Sequence, residues 1–396
     1  MRTRRLLLVI VLGLGACTTA EADTYPTAPQ LETLPPVAPT SPVGSTTTVA
    51  APATSSTTTT TTTTLPPTSG LELQVVDTIY GDISPKSVVA TGNGLFFAQN
   101  MMYRHTVTVY DQDYELVATI PDTVEIDGAE YAGAPVEAVP TSDGRYVYVS
   151  NYQMYGPGYG RAGGDGCNLG DWDESFVYRI DTDTLTIDQT IGVGAVPKFL
   201  AITPDDSTVL VSNWCSFDMS VVDTATAMET ARVELGRHPR GIAVTADGGT
   251  AYIAVMGSTN IAVVDLNTLE VEWIRGVGAN PRHVVLDPGG RYLYATLNGE
   301  GRVIRLDLDT GEVVDRVRTG SAPRSMAISD DGLSLYVVNY NSDTLAKVDT
   351  TTMEVAQTVD VPLRPIGVTF DSSGREVWVA SYSGAITVLA ETGAGE

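Results

Sequence analysis

Residues 239–280 read PRGIAVTADGGTAYIAVMGSTNIAVVDLNTLEVEWIRGVGAN, and four short apolar runs can be marked off inside them. Ile242-Ala243-Val244 leads to a turn at Asp247-Gly248, and Ala251-Tyr252-Ile253-Ala254-Val255 follows. Ile261-Ala262-Val263-Val264 then ends in Asp265 and a Thr-containing turn, and Val271-Glu272-Trp273-Ile274 completes the unit. Runs this short, rich in β-branched residues and bounded by turn formers, have the pattern of strands; a helix would need a 3.6-residue period.

Outward from this stretch the same unit recurs. Pro197, Pro239, Pro281, Pro323 and Pro365 each follow the last by 42 residues, and Asp223, Asp265, Asp307 and Asp349 stand 26 residues after their Pro, as Asp111 does after Pro85. Asp at a strand end followed by Thr suits a turn capped by its own side chain. Pro85 and Pro135 begin two earlier units, with spacings of 50 and 62 that leave room for insertions of 8 and 20 residues. Seven four-stranded units of this length predict an all-β, seven-bladed β-propeller over residues 71–396, because one such sheet cannot bury both of its faces alone. The last unit stops after its third strand, near residue 389, while residues 71–79 precede Pro85 at the spacing of a fourth. The first strand is therefore expected to pair into the last blade and close the ring, leaving no edge there.

Ahead of the repeats, residues 1–16 carry Arg2, Arg4 and Arg5, an apolar run over 6–12 and then Leu14-Gly15-Ala16 before Cys17. This order is that of an export signal, and the apolar run is too short to span a membrane. Leu-Gly-Ala-Cys resembles the lipobox of bacterial lipoproteins, which implies cleavage before Cys17, lipidation of Cys17 and anchoring to the extracytoplasmic face of the cell membrane. Residues 17–70 are dominated by Thr, Pro, Ala and Ser, with eight consecutive Thr over 57–64, and are expected to form a disordered linker whose Thr/Pro bias suits O-glycosylation. The chain has 48 acidic against 23 basic residues. Such acidity argues against a nucleic-acid partner unless the few cations gather on one face.

Leu335-Tyr336-Val337-Val338-Asn339 and Val209-Leu210-Val211-Ser212-Asn213 resemble the hallmark strand of the YVTN repeat family of propellers, a likeness that covers about 320 residues. Asn151, Asn213 and Asn339 stand 16 residues after their Pro as that pattern requires, whereas Met256, Leu297 and Ser381 mark the region where other repeats lack the Asn. The Asn is expected to tie a loop by bonding backbone. The resemblance implies that the loop entering each inner strand and the loop between second and third strands open on one face. Lys86, Lys198, Arg240, Arg282 and Arg324 each follow a repeat Pro directly, with Val136-Glu137 and Ile366 interrupting the series and Arg364 just before Pro365. A broken ring of cations around one mouth of the axial channel is expected, either as an anion site or as a set of pairs with neighbouring blades. The candidate ligand-binding residues are Lys86, Lys198, Arg240, Arg282, Arg324, His238, His283 and Trp214.

The two insertions are expected on that same face, the shorter between Tyr114 and Ala134, the longer between Asn151 and Ser175 with Tyr152, Tyr155, Tyr159, Asp165, Asp171, Trp172 and Asp173. Cys167 and Cys215 fall in neighbouring loops and are expected to form a disulfide. His105, His238 and His283 lie on blades too far apart to predict a metal site, and Gly158-Tyr159-Gly160-Arg161-Ala162-Gly163 fits a dinucleotide motif by letters only, since no helix follows. No cofactor is expected. Three function classes follow: a monomeric envelope binding or scaffold module for an anionic ligand, glycan or protein partner; an enzyme similar to propeller lactonases or lyases, with Glu137 and His283 as the acid-base candidates; and an accessory subunit of an envelope redox complex.

Overall fold

The computed structural model describes residues 66–161, 166–168 and 170–393; the export signal, Cys17 and most of the linker lie outside them, as does Asp165. These residues form a ring of seven antiparallel sheets, the all-β seven-bladed propeller expected from the repeats. Blade four shows the plan, with strands Pro239–Val244, Thr250–Val255, Asn260–Asp265 and Val271–Ile274 hydrogen-bonded in sequence order. The second strands, such as Thr208–Asn213 and Ser334–Asn339, are buried along nearly their whole length. Both of their faces pack on neighbouring blades, and continuous apolar runs result. Leu210 and Met219 of blade three meet Ile253 and Val264 of blade four in one such inter-blade cluster. The outer strands Met228–Glu234 and Glu354–Asp360 instead alternate between exposed and more buried residues. In blades one to six the Asp that ends the third strand caps the next turn: Asp265 Oδ1 accepts from the Asn267 and Thr268 amides at 2.8 and 3.0 Å, and Asp349 Oδ1 from Thr351 and Thr352 at 2.7 and 3.1 Å.

The ring closes as the chain ends predicted. Glu72–Tyr80 runs antiparallel to Ala385–Thr392, from Glu72 opposite Thr392 to Tyr80 opposite Ala385. Gln357 of the outer strand of blade six also bonds both backbone groups of Leu73, accepting at 2.7 Å and donating at 2.9 Å. The last residues assigned to the linker are not loose. Thr68–Gly70 forms a short 3₁₀ turn whose Thr68 is buried and bound to Asp331 through its amide and its hydroxyl, both at 2.8 Å.

Blade two departs from the four-stranded plan. The shorter insertion, expected as a loop, adds a fifth strand, Thr123–Ile126, paired with an inner strand lengthened to Ala129–Pro140. The reason is local: Asp127-Gly128 supplies the two left-handed residues (φ 51° and 78°) that a two-residue hairpin turn requires. The longer insertion begins by extending the second strand to Tyr155, which faces Ala132 across the same ladder. Cys167 and Cys215 are joined in a disulfide with Cα atoms 5.5 Å apart, and both are buried with Trp214 in a small cluster that fixes the insertion to blade three.

Candidate functional site

The register of the innermost ladder decides where the cations point. In blades two to seven the repeat Pro stands opposite the residue 16 positions later, as in Pro197 with Asn213 and Pro365 with Ser381, and the pairing slips immediately after the Pro. The residue after the Pro therefore sits in a bulge, a device that re-aims a side chain out of the regular alternation. Lys198, Arg240, Arg282 and Arg324 occupy that position, and with Lys86 of blade one they converge on a single axial cavity of about 910 Å³.

A second ring lies beside the first, and the sequence reading missed it. The residue 17 positions after each repeat Pro also lines the cavity in six blades: Met102, Tyr152, Trp214, Met256, Tyr340 and Tyr382. Its placement has a recurring cause. The amides of Trp214, Met256, Asn298, Tyr340 and Tyr382 donate to the carbonyl of the residue before the Pro, at 3.0, 2.9, 3.0, 3.1 and 3.1 Å. That preceding residue is left-handed in each case, with φ 58° at Val196, 62° at His238, 54° at Asn280, 55° at Ala322 and 59° at Arg364. Such strain in non-glycine residues costs free energy. A common offset from the Pro, read in the same way as the Lys/Arg position, was the available signal.

The two rings interact in a way that preserves charge. Lys198 Nζ lies 4.1 Å from the Tyr152 ring centre and 5.2 Å from that of Trp214, and the Arg324 guanidinium lies 3.6 Å from Tyr340, with Arg364 on the same ring at 6.0 Å. A ring face attracts a cation through its quadrupole and leaves the net charge in place. Among the described residues lining the cavity are Lys86, Arg104, Lys198, Arg240, Arg282, Arg324 and Arg364, and there is no Asp or Glu. Just behind the wall, Glu137 Oε1 accepts from Lys86 Nζ at 2.6 Å and from Arg240 Nη2 at 3.4 Å, so one carboxylate serves two cations.

Crowding of like charge in a buried wall shows in the protonation equilibria. Burial, then the Arg240 and Arg282 charges, outweigh Glu137 and push the Lys86 ammonium down to about 7. Burial foremost, with Arg240 and Arg324, drives the Arg282 guanidinium well below its ordinary range. Burial lifts the Tyr382 phenol to about 12 against the opposing pull of Arg240, Arg324 and Arg282.

Of the sequence-predicted site residues, the structure brings Lys86, Lys198, Arg240, Arg282, Arg324 and Trp214 to one cavity; His238 and His283 do not line it. His238 stands at the left-handed position before the Pro, stacked on Trp214 with ring centres 4.1 Å apart. His283, one residue beyond Arg282, lies behind the wall edge-on to Phe199 at 4.9 Å, and burial pushes its imidazole down to about 4. His105 stacks on Tyr155 at 4.9 Å. Among the described residues no group of three or more His, Cys, Asp or Glu could hold a metal ion. Asn339 ties its loop as expected, accepting from Thr319 Oγ1 at 2.9 Å and donating to the Thr319 carbonyl at 3.2 Å, whereas Asn213 bonds the side chains of Asp218 and Ser220. The long insertion is self-supporting, with Asp173 accepting from the Gly160 and Arg161 amides at 2.9 and 2.8 Å.

Comparison with known proteins adds to this geometry. Residues 253–381 match the model of the cytochrome D1 heme domain, a span of blades four to seven. No curated protein matches the chain. Among solved structures it is similar in fold to Kuenenia stuttgartiensis hydrazine synthase, with a TM-score of 0.63 at 20% identity over 79% of this chain and 97% of that one.

Proposed function

We propose that this chain is a binding module of the cell envelope, exported, lipid-anchored through Cys17, and specialised to hold a small multivalent organic anion in its axial cavity. One observation carries the reading: among the described residues the cavity wall collects seven cations, one of them (Arg104) paired outside it with Asp82, and no carboxylate, from a chain with 48 acidic and 23 basic residues. Low-dielectric walls of one charge sign focus potential and concentrate counter-ions, and the planar guanidinium fork suits carboxylate or phosphate oxygens. The aromatic lining of Tyr152, Trp214, Tyr340 and Tyr382 favours a ligand with an apolar or planar body between its acid groups. Titration calorimetry of the full chain at low salt tests it. Di- and tricarboxylates should bind one per chain, neutral sugars should not, and equal heats from both would defeat the reading.

A second reading, as an accessory subunit of a redox complex, is favoured by the match to a haem-domain model over residues 253–381. The cations would suit the acid substituents of a haem. The donor set does not suit its iron: among the described residues no His lines the cavity, and Tyr382 is held protonated by burial. Under this reading the propeller would dock to a redox partner and bind the anion itself, and no step passes through a bound haem.

A further inference from the structure

The chain has three lysines, Lys86, Lys198 and Lys347, and their surroundings differ in kind. Lys347 is sealed among three oxygens, the Thr68 and Leu71 carbonyls and Glu391 Oε1, at 2.7, 2.8 and 2.8 Å. Lys198 lies over the faces of Tyr152 and Trp214, contacts that favour the charged ammonium. Lys86 lies in the cavity wall with Glu137 Oε1 at 2.6 Å, and Arg240 reaches the same oxygen, so the amine and a guanidinium are immediate neighbours. The groups facing Lys86 are Glu137, Arg240 and Arg282. Burial beside other cations is one way in which a lysine becomes a nucleophile at neutral pH, and the depressed protonation of Lys86 agrees with it.

We propose that Lys86 captures a short oxo acid covalently, as an imine, while Arg240 and Arg282 hold the acid's carboxylate. The proposal rests on the anion-binding reading above and names its ligand class. The step needs no oxidant or reductant. The Lys86 ammonium gives one proton to Glu137, and the freed nitrogen pair attacks the carbonyl carbon. As the C–N bond forms, the C=O π pair moves to oxygen, which takes up the proton from Glu137. The carbinolamine nitrogen then returns its second proton to Glu137, which delivers it to the hydroxyl. The C–O bond breaks, water leaves, and the nitrogen pair closes the C=N bond. Ammonium plus carbonyl gives a protonated imine plus water, reversibly.

The test uses the full chain with oxaloacetate or 2-oxoglutarate and cyanoborohydride, followed by digestion and mass spectrometry. A single reduced adduct on Lys86 is expected, suppressed by excess succinate, which has the acid groups but no ketone. The adduct should vanish in Lys86→Arg, which keeps the charge, with thermal melting confirming that the variant is folded. No adduct, or equal labelling of Lys198 and Lys86, overturns the proposal. Succinate titration separates the two failures. If succinate binds and no adduct forms, the imine alone is wrong; if neither succinate nor the oxo acids bind, the anion reading falls with it.

Discussion

Lys86 and Lys347 are both buried, 3% and 0% exposed, yet one lines a cavity and the other locks the ring. Lys347 has three oxygen partners, and its carboxylate, Glu391, is bonded further by Arg375 at 3.3 Å and by the Tyr336 hydroxyl. Lys86 has a single carboxylate that it shares with Arg240. A buried cation is stable when oxygens surround it and costly when they do not. The oxygens crowd where the chain enters the ring, by the Asp331 turn, and are scarce at the opposite ends of the inner strands, where Arg324 and its counterparts meet. The cation-rich end is thus the one where the proposed anion site lies.

Removing either lysine tests the comparison most strongly. Lys347→Met leaves the Thr68 and Leu71 carbonyls buried without their donor and Glu391 with only Arg375 and the Tyr336 hydroxyl, and should cost about 3–5 kcal/mol in urea unfolding. Lys86→Met removes a charge that its surroundings oppose and should stay within about 1 kcal/mol of the parent, since Glu137 keeps Arg240. Equal losses would break the distinction. Replacing Cys167 and Cys215 together by Ser should cost on the order of 3–4 kcal/mol, read by the same unfolding, and should weaken anion binding because the Trp214 wall loses its neighbour. Arg282→Met sharpens the contrast from the other side: organic anions should bind about tenfold or more weakly in calorimetry, with no loss in melting temperature.

The repeat positions explain what could be read in advance and what could not. Pro spacing, the strand-end Asp and the missing fourth strand of the last unit identified the blades and their closure, because a propeller repeats the same backbone requirements every 42 residues. The Lys/Arg position was equally visible. Its partner ring was not, because Met102, Tyr152, Trp214, Met256, Tyr340 and Tyr382 share an offset but not a chemical type. The histidines misled because adjacency to a repeat Pro does not set direction. The bulge aims the residue after the Pro at the axis, while the left-handed position before it stacks His238 on Trp214, although Arg364 reaches the cavity from the same position, and the strand residue beyond leaves His283 behind the wall. Asp127-Gly128 was a legible hairpin signal that the reading of the shorter insertion left unused.

A smaller effect is expected with pH. The folded chain holds the Lys86 proton only to about 7, against an ordinary value of 10.5. Between those values the unfolded chain binds more protons, so the Lys86 contribution makes stability rise with pH across that window, and below about 7 its cost is fully present. Anion affinity should run the opposite way, falling several-fold from pH 6 to pH 8 as the ammonium is lost. Calorimetry in buffers of different ionisation heat should show proton uptake on binding near pH 7.5, absent in Lys86→Met. Glu137, Arg240 and Arg282 face the amine and set its response.

The proposed anion site is open to direct test. Crystals soaked in selenate, a dianion whose selenium scatters anomalously, should show their strongest anomalous peak inside the axial cavity, in contact with Arg240, Arg282 and Arg324. A cavity without selenium, with the anion bound only on the outer surface, would contradict the assignment of that cation ring as the binding site.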